Sequence, residues 1–388
     1  HHDNKRTVPM LSPVLSKGCG MYCFRADANE YIGTGHMMRC LTIAQALSDM
    51  GTTVLFICAD EQSARLPAQY GFATEILHTD YRHMEEELSA LTRELPRDDI
   101  RQTEHAPVLI VDSYFVTDAY LAVLRAFYRI VLIDDNAERS YPADIVLNYN
   151  FHADREAYTA LYGADKTRFL LGPFFAPVRA QFQNRDYRVR PDVQRILILS
   201  GGSDPDNAAG AILQTLRGTE PDTITQPPGQ TPAQAADVQS APPVPADTDI
   251  TIVCGSYNAH VETLDAYAKK DAHLRVLHNV EDMASLMCES DLAVSACGST
   301  TYELCAIGLP FVCYALADNQ LPLAAYLDVN GPVPYAGDFR TQPAYTCENI
   351  AKEIRRLMND PGARTTLCVE ERRLVDGRGA AHIASQIS

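Results

Sequence analysis

Residues 21–47 read MYCFRADANEYIGTGHMMRCLTIAQAL, and this stretch decides the fold. Met21 to Phe24 is a short apolar run of the kind that forms a buried strand, while Met37, Leu41, Ala44 and Leu47 recur at helical spacing. Between them lies Ile32-Gly33-Thr34-Gly35-His36. The reading is strand, glycine loop, helix. Gly33 and Gly35 allow a tight turn and close approach of a ligand, and the helix starting near His36 offers unpaired N–H groups and a positive dipole end. A phosphate or a developing oxyanion is favoured there. His36 adds a side chain that exchanges a proton near neutral pH. A second reading stays open on the same residues: His36 caps the helix and the glycines only make the turn. A lone G-x-G does not separate the two.

Outward from this stretch the pattern repeats. Val54 to Cys58, Ala73 to Leu77, Val108 to Val111, Ile130 to Ile133, Ile145 to Leu147 and Phe169 to Leu171 read as strands. Met84 to Leu95 and Asp118 to Phe127 carry helical periodicity. Such alternation means βαβ units and a mostly parallel sheet, with ligands beyond the carboxyl ends of the strands. Polar residues fall at those ends: Arg25 and Asp27, Asp112-Ser113-Tyr114, and Asp134-Asp135-Asn136. Most of them suit caps and turns, and Asp27 and Tyr114 are the candidates to reach a substrate. Leu171-Gly172-Pro173-Phe-Phe-Ala-Pro177 reads as a rigid connection that closes this half.

A second half follows, with strands at Ile196 to Leu199, Ile250 to Cys254, Leu274 to Leu277, Leu292 to Ser295 and Phe311 to Tyr314. Its first strand runs into Gly201-Gly202-Ser203-Asp204. Asp204-Pro-Asp206 has the look of a D-x-D metal motif, but it precedes an alanine-rich helix and capping is the better reading. After Ser295, Gly298-Ser299-Thr300 opens a short helix whose N–H groups and hydroxyls suit a diphosphate. Glu303 has the reach to accept hydrogen bonds from a ribose diol; alternatively it completes a capping box with Thr300. The expected domains are 21–180 and 190–375, with 1–20 as tag remnant and extension and 376–388 as a tail. Residues 219–249, with seven prolines and no aromatic residue, read as a disordered insertion.

A formal charge of −17 over 388 residues argues against nucleic acid as a partner, because phosphate binding needs a basic surface. The apolar patch Val8 to Leu15 is broken by two prolines and too short to span a bilayer, so no membrane insertion is expected. Eleven cysteines without a C-x-x-C pair suit reduced thiols and a cytoplasmic location. No zinc spacing is present, and neither a metal nor a cofactor is expected. No obligate protein partner is evident.

At this point the motifs carry a resemblance. Asp282-Met283 leading into Gly298 to Pro310 resembles the nucleotide-sugar signature of GT-B proteins. Phe24-Arg25-Ala-Asp27 through Ile32-Gly33-Thr34-Gly35-His36 and Arg39-Cys40-Leu41 resembles the UDP-2,4-diacetamido-2,4,6-trideoxy-β-L-altropyranose hydrolases of pseudaminic acid biosynthesis. Gly172-Pro173, Ala176-Pro177-Val178-Arg179, Gly201-Gly202-Ser203-Asp204, Asn319-Gln320 and Gly377-Arg-Gly379-Ala380 support it, so that it covers nearly the whole chain from Met21. The resemblance implies an α/β, GT-B fold of two Rossmann-like domains with parallel sheets facing a central cleft, no metal, and a UDP-sugar substrate cleaved by water. It implies His36 as catalytic base, Gly33 and Gly35 shaping its loop, and Gly202, Ser299, Thr300, Glu303, Asn319 and Gln320 on the substrate. A GT-B glycosyltransferase and a non-catalytic nucleotide-sugar sensor are the alternatives.

Overall fold

The computed structural model describes residues 20–29, 31–32, 34–92, 106–219, 243–255 and 257–388. In chain order the first half runs β1 (Met21–Ala26), α1 (Gly35–Asp49), β2 (Thr53–Cys58), α2 (Glu61–Gln69), β3 (Ala73–Ile76), α3 (Leu88–Thr92), β4 (Val108–Asp112), α4 (Asp118–Leu124), β5 (Arg129–Ile133), β6 (Ile145–Asn148), α5 (Arg155–Tyr162) and β7 (Arg168–Leu171). The second runs β8 (Arg195–Leu199), α6 (Ala208–Arg217), β9 (Asp249–Cys254), α7 (Val261–Ala268), β10 (Leu274–His278), α8 (Met283–Glu289), β11 (Leu292–Ala296), α9 (Ser299–Ile307), β12 (Phe311–Ala315), α10 (Leu321–Asn330), β13 (Tyr335–Asp338), α11 (Pro343–Asn359) and α12 (Pro361–Leu374). The chain ends on α13 (Gly379–Ile387). Two compact units result: 1–177 with 379–388, and 178–378.

Unit 1 is a seven-stranded parallel sheet in the order β3-β2-β1-β4-β5-β6-β7. All six residues of β1 are buried, as a strand flanked by β2 and β4 and covered on both faces must be. Met37, Cys40, Leu41, Ala44 and Leu47 put the apolar stripe of α1 into the core, and α1 stops where Gly51 turns left-handed at φ +80°. The strand order reverses between β1 and β4. That point is where parallel sheets leave a crevice at their carboxyl ends.

Unit 2 repeats the plan with six parallel strands, β10-β9-β8-β11-β12-β13, reversing between β8 and β11. Its core runs from Ile196 and Ile198 through Leu292, Val294 and Val312 to Ile350 and Ile354 of α11.

Four expectations change. Residues 376–388 are no tail: Ile383, Ala384 and Ile387 of α13 are buried in the unit 1 core, and Arg129 and Arg168 donate to the carbonyls of Ile387 and Gln386. Cations at a helix C-terminus satisfy its orphan carbonyls and its dipole. The expected insertion ends earlier than 249, because Val244 is buried in the unit 2 core and its N–H donates to the Leu216 carbonyl (2.8 Å). Residues 220–242, the bulk of that expectation, lie outside the described residues. Met84–Glu87 is a 3-10 turn rather than the start of a continuous helix, and β13 is an additional strand. Among the described residues no helix is long and apolar enough to cross a membrane.

Candidate active site

The centre of unit 1 is built where α1 begins. Asp112 ends β4 directly beside Ala26 at the end of β1, so a carboxylate 76 residues away in sequence meets His36 at the second position of α1. His36 Nδ1 and Asp112 Oδ1 are 2.6 Å apart. Two acceptors do not sit at that distance, so the proton is on Nδ1 and donates to the carboxylate. The lone pair of the neutral ring is then on Nε2, which has no hydrogen-bond partner among the described residues. The Arg39 Nη2 at 3.2 Å from Nδ1 is a neighbour, not a second donor to it.

Arg39 follows His36 by three residues on the same helix face. Its Nε and Nη2 donate to the two oxygens of Asp112, each at 2.6 Å, and its Nη1 donates to Asp135 (2.9 Å) and to the Tyr149 hydroxyl (3.1 Å). Burial alone pushes the Asp112 carboxyl up, but Arg39 and His36 more than offset it and hold the group down at about 2. Asp112 is therefore ionised near neutral pH. Tyr114, exposed, stands edge-on to the His36 ring at 4.6 Å between centroids. The structure thus brings His36 and Tyr114 together and adds Asp112, Arg39 and Asp135. Gly35 opens α1, and a side chain there would meet nothing within 4 Å. Gly33 lies outside the described residues.

Asp27, expected to reach a substrate, is buried and turned inward. Its Oδ1 accepts the Ala59 N–H (2.8 Å) and its Oδ2 accepts from Arg25 (2.5 Å), which is itself buried and paired through Nε with Glu87 (2.8 Å). Buried, with both oxygens hydrogen-bonded inside unit 1, Asp27 braces the loop after β1. A buried Arg so close to the strand end requires carboxylates around it, which is the physical reason for the inward turn.

In unit 2 the helix starts differ. At α6, Asp204 accepts the N–H groups of Ala208 (2.7 Å) and Ala209 (3.1 Å), and Asn207 accepts that of Gly210. That terminus is closed by its own side chains. Gly202, in the preceding turn, accepts the Tyr257 N–H through its carbonyl (3.1 Å). At α9 the cap is Gly298, no side chain caps the helix, and the Thr301 N–H turns back to the Gly298 carbonyl (3.0 Å). The first-turn N–H groups of Ser299 and Thr300 remain for an anion. Gly298 is extended (φ −146°) and a Cβ on it would meet nothing within 4 Å, so neither backbone strain nor packing demands glycine there.

The capping box of Thr300 with Glu303 does not form, since both residues lie inside α9. Glu303 Oε1 instead accepts from Arg179 Nε (2.9 Å) and Nη2 (2.7 Å), while Oε2 makes no hydrogen bond with the described residues. Burial raises the Glu303 carboxyl and Arg179 counters it in part. Asn319 is exposed in the turn after β12. Gln320 uses its side-chain carbonyl to hold the Leu316 N–H (2.8 Å), so half of that side chain is committed to the turn.

Arg39 and Arg179 appear in the sequence only within resembling motifs, and Asp112 and Asp135 read there as turn residues. The three-residue spacing from His36 to Arg39 is the one local signal for this cluster. The carboxylates become visible only once β4 and β5 are placed beside β1.

No protein-family model matches the chain. Among solved structures, MurG of Acinetobacter baumannii matches with a TM-score of 0.58 and 16% identity, covering 95% of this chain and 99% of that one. The chain has the GT-B fold. A second GT-B match, Arabidopsis thaliana UGT89C1 complexed with UDP-L-rhamnose, has a TM-score of 0.58 at 11% identity and covers 96% and 100% of the two chains. In sequence, the UDP-2,4-diacetamido-2,4,6-trideoxy-beta-L-altropyranose hydrolase of Campylobacter jejuni is 25% identical over 310 residues, 79% of this chain and 96% of that protein. The spore coat polysaccharide biosynthesis protein SpsG of Bacillus subtilis is 25% identical over 260 residues, 66% and 68% of the two. The resemblance read from the motifs is thus a measured similarity spread along most of this GT-B chain.

Proposed function

We propose that this protein hydrolyses a UDP-linked diacetamido-trideoxy sugar to UDP and the free sugar, 2,4-diacetamido-2,4,6-trideoxy-L-altrose, as a step toward pseudaminic acid. The observation that carries the reading is the His36–Asp112 pair. A histidine whose Nδ1–H is held by a buried carboxylate presents Nε2 as a base, the arrangement that general-base catalysis uses to activate water. In this reading the open start of α9 is the candidate for the diphosphate and His36 the candidate for the base. Water attacks the anomeric carbon, its proton goes to His36 Nε2, and the bond to the phosphate oxygen breaks with its electron pair leaving on UDP. The N–H groups and hydroxyls of Ser299 and Thr300 take up the charge that develops on the diphosphate.

The division of labour follows from charge. Beside His36 the one guanidinium of Arg39 faces two carboxylates, Asp112 and Asp135, so that cluster holds more negative than positive charge and disfavours a diphosphate. A sensor that only binds has no use for an oriented imidazole. Transfer to a hydroxyl acceptor is the second reading, favoured by the fold shared with MurG. Incubation of pure protein with UDP-sugar, EDTA and no acceptor separates the two: UDP and free sugar accumulate if it hydrolyses, and donor stays intact until an alcohol is added if it transfers.

A further inference from the structure

We propose that Asp135 is a positioning residue for His36: it holds Tyr114 edge-on to the imidazole and supplies, through Arg39, the second negative charge that balances the proton His36 takes up. The inference rests on the reading of His36 as the base and extends it to a residue outside the resembling motifs. Asp135 lies two residues beyond the end of β5 and its side chain is 15% exposed. It accepts from Arg39 Nη1 (2.9 Å), from Asn150 (3.2 Å) and from the Tyr114 hydroxyl (3.1 Å). The Tyr114 ring is otherwise exposed, and this hydrogen bond is what fixes it against His36 at 4.6 Å.

The charge count gives the second half. Arg39 alone faces two carboxylates, Asp112 and Asp135, so the cluster carries one negative charge in excess while the imidazole is neutral. A proton on His36 closes the balance. Asp112 alone would be neutralised by Arg39 and leave the imidazolium uncompensated. The other titratable groups packed around the cluster are Cys40 from α1, hydrogen-bonded to Asp112, Tyr149 after β6, held by Arg39, and His152, which feels the charge of Asp135. Burial raises Cys40 and Tyr149 and lowers His152, so none of the three supplies a charge near neutral pH.

The test reads His36 directly. Its ring protons, assigned by their loss in His36→Asn, are followed by NMR across neutral pH in the substrate-free protein. Asp135→Asn keeps shape and a hydrogen-bond acceptor for Tyr114 but removes the charge, so the His36 titration and the acid limb of turnover both move to lower pH, by roughly one unit. Asp135→Glu keeps the charge and titrates as the wild type does. Tyr114→Phe also leaves the titration in place while lowering turnover. An unmoved titration in folded Asp135→Asn, or a moved one in Asp135→Glu, overturns the proposal. Near-wild-type turnover in His36→Asn would instead sink the base itself, and the NMR arm, which needs no substrate, keeps the two failures apart.

Discussion

The pairing of His36 with Asp112 is the residue on which the proposed chemistry turns, and each partner makes its own prediction. His36→Asn retains a polar side chain at the start of α1 and removes the proton acceptor. UDP affinity stays as it was, because the nucleotide is assigned to unit 2, while turnover drops by about two to four orders of magnitude. Asp112→Asn leaves the imidazole without its orienting carboxylate and lowers turnover by a comparable amount. That variant also reports on stability. The Asp112 carboxyl is held at about 2 in the fold against about 3.9 for a free aspartate, so it contributes on the order of 2 kcal/mol above pH 4 and loses this as the pH falls toward 2. Denaturant titrations at descending pH should show this loss in the wild type and its absence in Asp112→Asn. His36 itself was legible from a glycine loop at a strand end. Its partners were not, because contact between α1 and the ends of β4 and β5 depends on strand order, which local periodicity does not encode.

At the scale of elements, α9 and α13 carry the two claims most open to test. Glu303 of α9 already spends one oxygen on Arg179, and the proposal gives the other to a ribose hydroxyl. Glu303→Ala therefore weakens UDP binding by about 1.5–3 kcal/mol in calorimetry, the range of a hydrogen bond to a charged group. Unchanged affinity in a folded variant would confine Glu303 to its pairing with Arg179. The start of α13 is packed so closely that a Cβ on Gly379 would lie 2.1 Å from the Ala176 carbonyl oxygen. Backbone must shift to admit it, and Gly379→Ala should cost about 1–3 kcal/mol in thermal or denaturant unfolding. The strands that alternate with helices were legible because buried parallel strands are continuous apolar runs. Tyr335-Ala-Gly-Asp338 was not, being four residues long at a sheet edge with a glycine inside and no β-branched side chain. The last helix reads as a tail for a related reason: nine residues are too few to declare their partner, and that partner is α1, more than 300 residues earlier.

For the whole molecule, two units with the same parallel plan present different groups at the reversal points of their sheets. Unit 1 gathers an imidazole, two carboxylates and one guanidinium, and unit 2 leaves a helix start open. The first suits proton transfer and the second suits a leaving diphosphate. On the proposed reading, water is the nucleophile and the anomeric carbon its target, with UDP leaving intact. The most direct measurement is turnover of the UDP-diacetamido-trideoxy sugar in ¹⁸O-water without acceptor, with both products weighed by mass spectrometry. The account predicts that the label enters the sugar, that UDP stays unlabelled, and that release nearly vanishes in His36→Asn. Label in the phosphate of UDP, or no release at all until an alcohol is supplied, would contradict it.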